Sequence, residues 1–143
     1  MTTLSLEQAL QIIHGALQKG HEIGCDPLSV AVLDAGGHLV AFMREDNSGI
    51  LRPEIAIGKA YGALGLGVGS RELKEKNPLF LSAVAAASHG RMIPMPGGVL
   101  IRSPETDDII GAVGISGDTA DKDEAAAMAG IQVGGLRADA GET

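Results

Sequence analysis

Apolar residues recur at helical spacing near the start of the chain, at Leu6, Ala9, Leu10, Ile13, Ala16 and Leu17. That period puts them on one stripe of an amphipathic helix. Ser5-Leu6-Glu7-Gln8 fits a capping box in front of it, and Gly20 to Gly24 with Asp26-Pro27 ends it. The pattern then changes. Leu28 to Leu33 is a short apolar run with β-branched residues, Asp34-Ala35-Gly36-Gly37 is a turn, and His38 to Arg44 continues as a second run. Two such runs around a glycine-containing turn predict a β-hairpin.

Pro53 suits the first turn of a second helix, which runs from Glu54 to Leu66 and is built of small residues: Ala56, Gly58, Ala60, Gly62, Ala63, Gly65. Each glycine lowers helix propensity by about 1 kcal/mol, so this helix needs close packing against a sheet or a partner subunit. Ser70 to Lys76 predicts a short turn or helix, and Pro78 starts another helix, Leu79 to Ser88, that ends at His89-Gly90. Val99 to Arg102 and Ile109 to Ile115 read as strands around a polar turn. Asp121-Lys122-Asp123-Glu124 starts a last helix, with acids where the helix dipole favours them, extending to about Leu136. Residues 137–143 read as a polar, frayed tail. Strands joined by short turns imply an antiparallel sheet, and helices segregated from strands make the class α+β.

Composition narrows the function. At 143 residues the chain is expected to be one domain, with an ordered core of about 4–136. Its net charge is −7 and its aromatic share 2%, which removes both the electrostatic and the stacking basis for nucleic-acid binding. Cys25 is the one cysteine, so no internal disulfide and no cysteine-based zinc site is available. There is no signal-peptide pattern and no apolar run of membrane-spanning length. A soluble, cytoplasmic protein is the expectation.

Four stretches, "SVAVLDAGGHLVAFMRED", "EIAIGKAYGAL", "MPGGVLI" and "IIGAVGISGDTADKDEAAAMAGI", resemble in order and spacing the GlcG/HbpS family of small haem- or corrinoid-associated proteins, which includes the carboxy-terminal domain of PduO-type adenosyltransferases. The resemblance covers Leu4 to Leu136. It implies a five-stranded antiparallel sheet flanked by helices, with profilin- or PAS-like layering, assembled into homo-oligomers. It also makes haem or a corrinoid a candidate ligand without fixing an activity.

Several residues are candidates for a site. Arg44 and Asp46 close the second strand, where charged residues often line a pocket, and they fall where the family has a similar Arg-x-Asp pattern. Lys59 is the sole charged residue between Glu54 and Arg71. Within a small-residue helix it must reach solvent, find a carboxylate such as Asp46, or face a cavity. His14 and His21 lie two helical turns apart, about 10 Å, too far to chelate one small ion together, though either is a candidate haem ligand. His89, Asp46 and Glu124 are candidate proton-transfer groups. The acids Asp118, Asp121, Asp123 and Glu124 lack calcium-loop spacing, and helix capping explains Asp121 and Glu124, so no metal site is expected.

"PMPGG", residues 94–98, is neither a Walker loop nor a dinucleotide fingerprint, because a strand follows it. It turns the chain into that strand, and Gly97 and Gly98 could in addition present backbone amides to a ligand. The expected function is binding of haem, a corrinoid or a small organic acid near a subunit interface, with Arg44, Lys59, Gly97 and Gly98 around one pocket. The alternative is a catabolic-pathway enzyme acting on a small organic acid by general acid/base chemistry. A haem titration favours the first and turnover of a pathway acid the second.

Overall fold

The computed structural model describes residues 3–142. Helix α1 spans Leu6–Glu22 and opens on the capping box. The Gln8 amide donates to Ser5 Oγ and the Ser5 amide to Gln8 Oε1, each at 3.1 Å. These bonds satisfy amides that a helix N-terminus otherwise leaves without partners. Strands β1 (Ser29–Asp34) and β2 (Leu39–Arg44) form the expected hairpin. Helix α2 (Arg52–Leu66), a 3-10 turn (Ser70–Glu75) and helix α3 (Pro78–Ala87) follow. Then come β3 (Gly98–Arg102), β4 (Ile109–Ser116), helix α4 (Ala120–Val133) and β5 (Arg137–Asp139).

The five strands form one sheet in the order β2-β1-β4-β3-β5, with every neighbouring pair antiparallel. Alternation along each strand sends side chains to opposite faces. Val30, Val32, Val99, Ile101, Val113 and Ile115 pack with α1 and α4. Leu33, Leu100 and Ala112 pack with Ala60 and Ala63 of α2. The small residues of α2 therefore serve the sheet. The Ala56 carbonyl stands where a Gly114 side chain would be, and the Lys59 carbonyl where a Gly98 side chain would be. The helix backbone lies directly on the strands because both sides lack bulk at the contact.

Two boundaries differ from the sequence reading. Helix α4 stops at Val133 rather than near Leu136, because Gly134 and Gly135, the latter at φ +76°, take the chain out of the helix. The segment expected to fray instead pairs with β3 as β5, and Arg102 Nε donates to Asp139 Oδ2 at 2.8 Å. Polar composition hid a strand whose partner supplies both the ladder and a countercharge. Thr143 lies outside the described residues.

Helix α3 stands apart. Its ten residues, PLFLSAVAAA, carry no charge, and none of them is buried. Leu79 is 79% exposed and Phe80 46%.

Candidate functional site

Lys59 projects from the sheet-facing side of α2 and is only 3% exposed. Its Nζ donates to the Ile115 carbonyl at 2.9 Å and to Asp123 Oδ2 at 3.2 Å. The expected partner, Asp46, is not involved. Asp46 is exposed in the loop after β2, whereas Asp123 sits on the buried side of α4 with no exposed surface. Burial pushes the Lys59 ammonium below its ordinary pKa, and the Asp123 carboxylate only partly offsets that. Asp123 Oδ1 also accepts the Asp118 amide at 2.9 Å, so one carboxylate holds both the lysine and the turn before α4.

Lys59 and Asp123 line a cavity of about 330 Å³ together with Arg52, Ile55, Met95 and Ser116. Arg52 Nη1 donates to Ser116 Oγ at 3.1 Å. Two cations, seven residues apart on α2, are thus anchored on neighbouring residues of β4, Ile115 and Ser116. The cavity combines an apolar wall with a buried amine, a guanidinium and two carboxylates, since Asp118 lines it as well as Asp123. Sequence reading found Lys59 but missed Arg52 and Asp123. A signal for Asp123 was present: with Ala126, Ala127 and Gly130 it falls on one helical stripe, which is the buried one.

Gly97 and Gly98 do meet Lys59, though mainly as packing. A side chain at Gly97 would reach within 2.8 Å of Lys59 Nζ, and Gly97 has φ +125°, which favours glycine. The Gly98 amide is not free for a ligand, because it donates to Ser70 Oγ at 2.7 Å, and that hydroxyl donates to the Met95 carbonyl. Glu124 is committed as well: its two oxygens accept Arg71 Nε at 3.1 and 2.9 Å, and Asp121 takes Arg71 Nη2. His89 is exposed past the end of α3 at φ 58° and does not line this cavity. The expected proton-transfer trio therefore does not assemble.

Arg44 lies elsewhere than expected. It pairs in register with Ser29, and Ser29 with Ser116, so the three form one row across β2, β1 and β4. Arg44 donates to the Ser48 carbonyl at 2.9 Å, while the Ser29 and Ser48 hydroxyls meet at 2.9 Å. With His21, Cys25, Pro27, Glu45 and Asp46 it lines a separate groove of about 420 Å³. His21 Nε2 lies 2.7 Å from Glu45 Oε2 with its side chain 72% exposed. Burial, with Asp118 and Asp123 nearby, raises the Cys25 pKa, which keeps it a thiol. These residues do not fit an enclosed haem: the imidazole is solvated and tied to a carboxylate, and four of the six lining residues, His21, Arg44, Glu45 and Asp46, are polar or charged. His14 is exposed on α1 and is not part of the groove. Among the described residues no group of three His, Cys, Asp or Glu side chains could hold a metal ion.

A larger cavity, about 700 Å³, lies by the hairpin turn and includes Asp34, His38 and Asp108. No buried charge lines it. Asp34 Oδ1 is occupied by the Gly36 and His38 amides and faces His38 Nδ1 at 3.1 Å, and the His38 side chain is 81% exposed.

A family model described as "Haem degrading protein HbpS-like" matches residues 4–132. The chain belongs to this family. A curated relative, an uncharacterized 15.0 kDa protein in the dhaT-dhaS intergenic region of Citrobacter freundii, is 27% identical over 125 residues, 86% of each chain. Among solved structures, a PduOC:heme complex superimposes with a TM-score of 0.85 at 21% identity, covering 99% of this chain and 100% of that one. HbpS from Streptomyces reticuli, solved as a double mutant, gives 0.79 at 25% identity, covering 93% and 88%. This HbpS-like chain therefore shares the fold of a haem-bound structure, while its own His21 groove is polar and open. No helix among the described residues is long and apolar enough to cross a membrane.

Proposed function

We propose that this HbpS-like protein binds a small organic acid in the cavity between α2, β4 and α4. The observation that carries this reading is Lys59. A helix of small residues buries one cation against a cavity wall, and a buried ion pair is a poor source of stability against hydrophobic packing of the same volume. Its retention is explained by a ligand. The Lys59 charge is balanced by Asp123, and the Asp118 carboxylate at the same cavity is taken up by the Asp26 and Thr119 amides, so Arg52 is the group that takes a carboxylate. A guanidinium suits that role because its planar fork matches the two carboxylate oxygens. At about 330 Å³ the cavity is near the lower end of small-molecule sites, roughly 300–1,000 Å³, and does not enclose a tetrapyrrole.

Haem or a corrinoid is the second reading, supported by membership of the HbpS-like family. In this chain it would be a surface ligand at the Arg44–His21 groove, completed by another copy. Titration with lactate followed by calorimetry, beside titration with haemin followed at the Soret band, separates the two. The first reading expects saturable lactate binding that is lost in Arg52→Met with the fold intact. A stoichiometric Soret shift with no binding of lactate or other short acids would replace it with the second.

We also infer that the protein is a homo-oligomer. Helix α3 is uncharged and largely apolar, with no residue buried and Leu79 and Phe80 exposed. Exposed patches of this kind mark interaction sites. At ten residues α3 is too short to cross a bilayer, and it lacks the cationic face that draws interfacial helices to anionic lipid. A second copy of the chain is the occupant we infer. A lone thiol and an acidic surface support a cytoplasmic protein that does not engage nucleic acid.

A further inference from the structure

We propose that Lys59 is a carbonyl-reactive lysine, and that the acid held by Arg52 is a 2-oxo acid that it engages as a reversible imine. The inference rests on the organic-acid reading of the cavity and specifies its ligand class. A lysine becomes nucleophilic when it is desolvated or set beside another cation, so that its neutral form is accessible. Lys59 meets both conditions. It is 3% exposed, and burial lowers its pKa against the opposing pull of Asp123, with the nearby Arg52 charge a smaller lowering influence.

Geometry gives the amine a way to react. Two of its three hydrogen-bonding positions are committed, to the Ile115 carbonyl and to Asp123 Oδ2. Lys59 lines the cavity, and Gly97 packs beside its amine without adding bulk there, since any side chain at that residue would reach within 2.8 Å of Nζ. Asp123, at 3.2 Å, is the proton acceptor next to the amine. Arg52 is anchored on Ser116, the residue after the Ile115 that anchors Lys59. A short molecule with adjacent carboxylate and carbonyl groups offers one group to each of the two cations that line this cavity.

The step balances without any redox partner. Asp123 takes a proton from the Lys59 ammonium, and the free amine attacks the carbonyl carbon. A C–N bond forms, the C=O π pair moves to oxygen, and the nitrogen gives up one proton to that oxygen. The proton held by Asp123 goes to the resulting hydroxyl, which leaves as water as the nitrogen lone pair forms the C=N bond, leaving the protonated imine beside the Asp123 carboxylate. Addition of water reverses the sequence and returns ligand and lysine.

The test uses pyruvate as the probe and lactate as its carbonyl-free analogue. The full-length protein is incubated with pyruvate, treated with cyanoborohydride and digested. The expected result is one labelled peptide, containing Lys59, heavier by pyruvate less water plus two hydrogens. Lactate in excess suppresses the label. Lys59→Arg keeps the cation opposite Asp123 and abolishes it. Should Lys59→Arg fail to fold, lactate protection of the wild-type protein and the site of labelling still decide. Saturable pyruvate binding without a reducible adduct overturns the imine and leaves the acid-binding reading standing. Absence of both binding and adduct overturns both. Label spread over Lys19, Lys74, Lys76 and Lys122 also overturns the imine.

Discussion

Lys59 and Asp123 meet from opposite sides of the sheet's β4 end, Nζ 3.2 Å from Oδ2, with side-chain exposures of 4% and 1%. One comes from the helix on one face of the sheet and the other from the helix on the opposite face. Removing one partner strands the other charge in a dry setting. Lys59→Met should cost about 3–5 kcal/mol of folding stability, measured by urea unfolding. Lys59→Met combined with Asp123→Asn should cost less than the sum of the single changes, because neither charge is then left alone. Additive losses would show that the two residues do not act as a pair.

The contact between α2 and the sheet makes a sharper stability prediction. Gly114→Ala pushes a methyl group into the Ala56 carbonyl, which is backbone and cannot rotate away. Overpacking of this kind costs about 1–3 kcal/mol or more. Gly65→Ala, on the same helix but with nothing within 4 Å of the added carbon, should instead stabilise by up to about 1 kcal/mol. Equal effects from the two substitutions would contradict the packing described.

Helix α3 should govern assembly. Leu79→Glu with Phe80→Glu places two charges on its exposed apolar surface. Light scattering should report an oligomer for the parent chain and a smaller species for the variant, with helix content by circular dichroism unchanged. A parent chain that is already monomeric at micromolar concentration would remove the interface.

Acid should destabilise the protein through identifiable carboxylates. The Asp26 and Thr119 amides hold the Asp118 carboxyl below the usual range. For Asp139, burial pushes the pKa up, but the Arg102 guanidinium and the Gly141 amide outweigh it and the net direction is down. With the folded pKa below the unfolded one, the stabilisation is complete above about pH 3.9, the ordinary aspartate value, and is lost as pH falls through the folded values. Melting temperature should drop on that limb, and Asp118→Asn should flatten it. An unchanged slope in that variant would show that Asp118 contributes nothing to it.

Most of the scaffold was legible in the sequence because local rules agreed with the fold. The Ser5–Gln8 box, the 34–37 turn and the helical run of small residues each have a local cause. The fifth strand was not legible, since Arg137 to Asp139 has no apolar alternation and gains its order from β3. The site was half legible. Lys59 stood out as an isolated charge, but its partner lies in a distant helix, and Asp46 was the nearer guess in sequence. The sequence brings Arg44 toward Lys59 because Arg44 ends a strand of the sheet that covers the Lys59 helix. Register instead sets Arg44 on β2, at the edge of the sheet, where it lines the groove with His21.

The most direct test is an NMR titration with lactate that follows side-chain nitrogen signals of Lys59, Arg52, Arg44 and His21 together. The organic-acid account predicts saturable shifts at Lys59 and Arg52 at a common midpoint, with Arg44 and His21 unmoved. Saturable shifts at Arg44 and His21 with Lys59 and Arg52 silent would contradict it and move the site to the groove on the other side of the Ser29–Ser116 row.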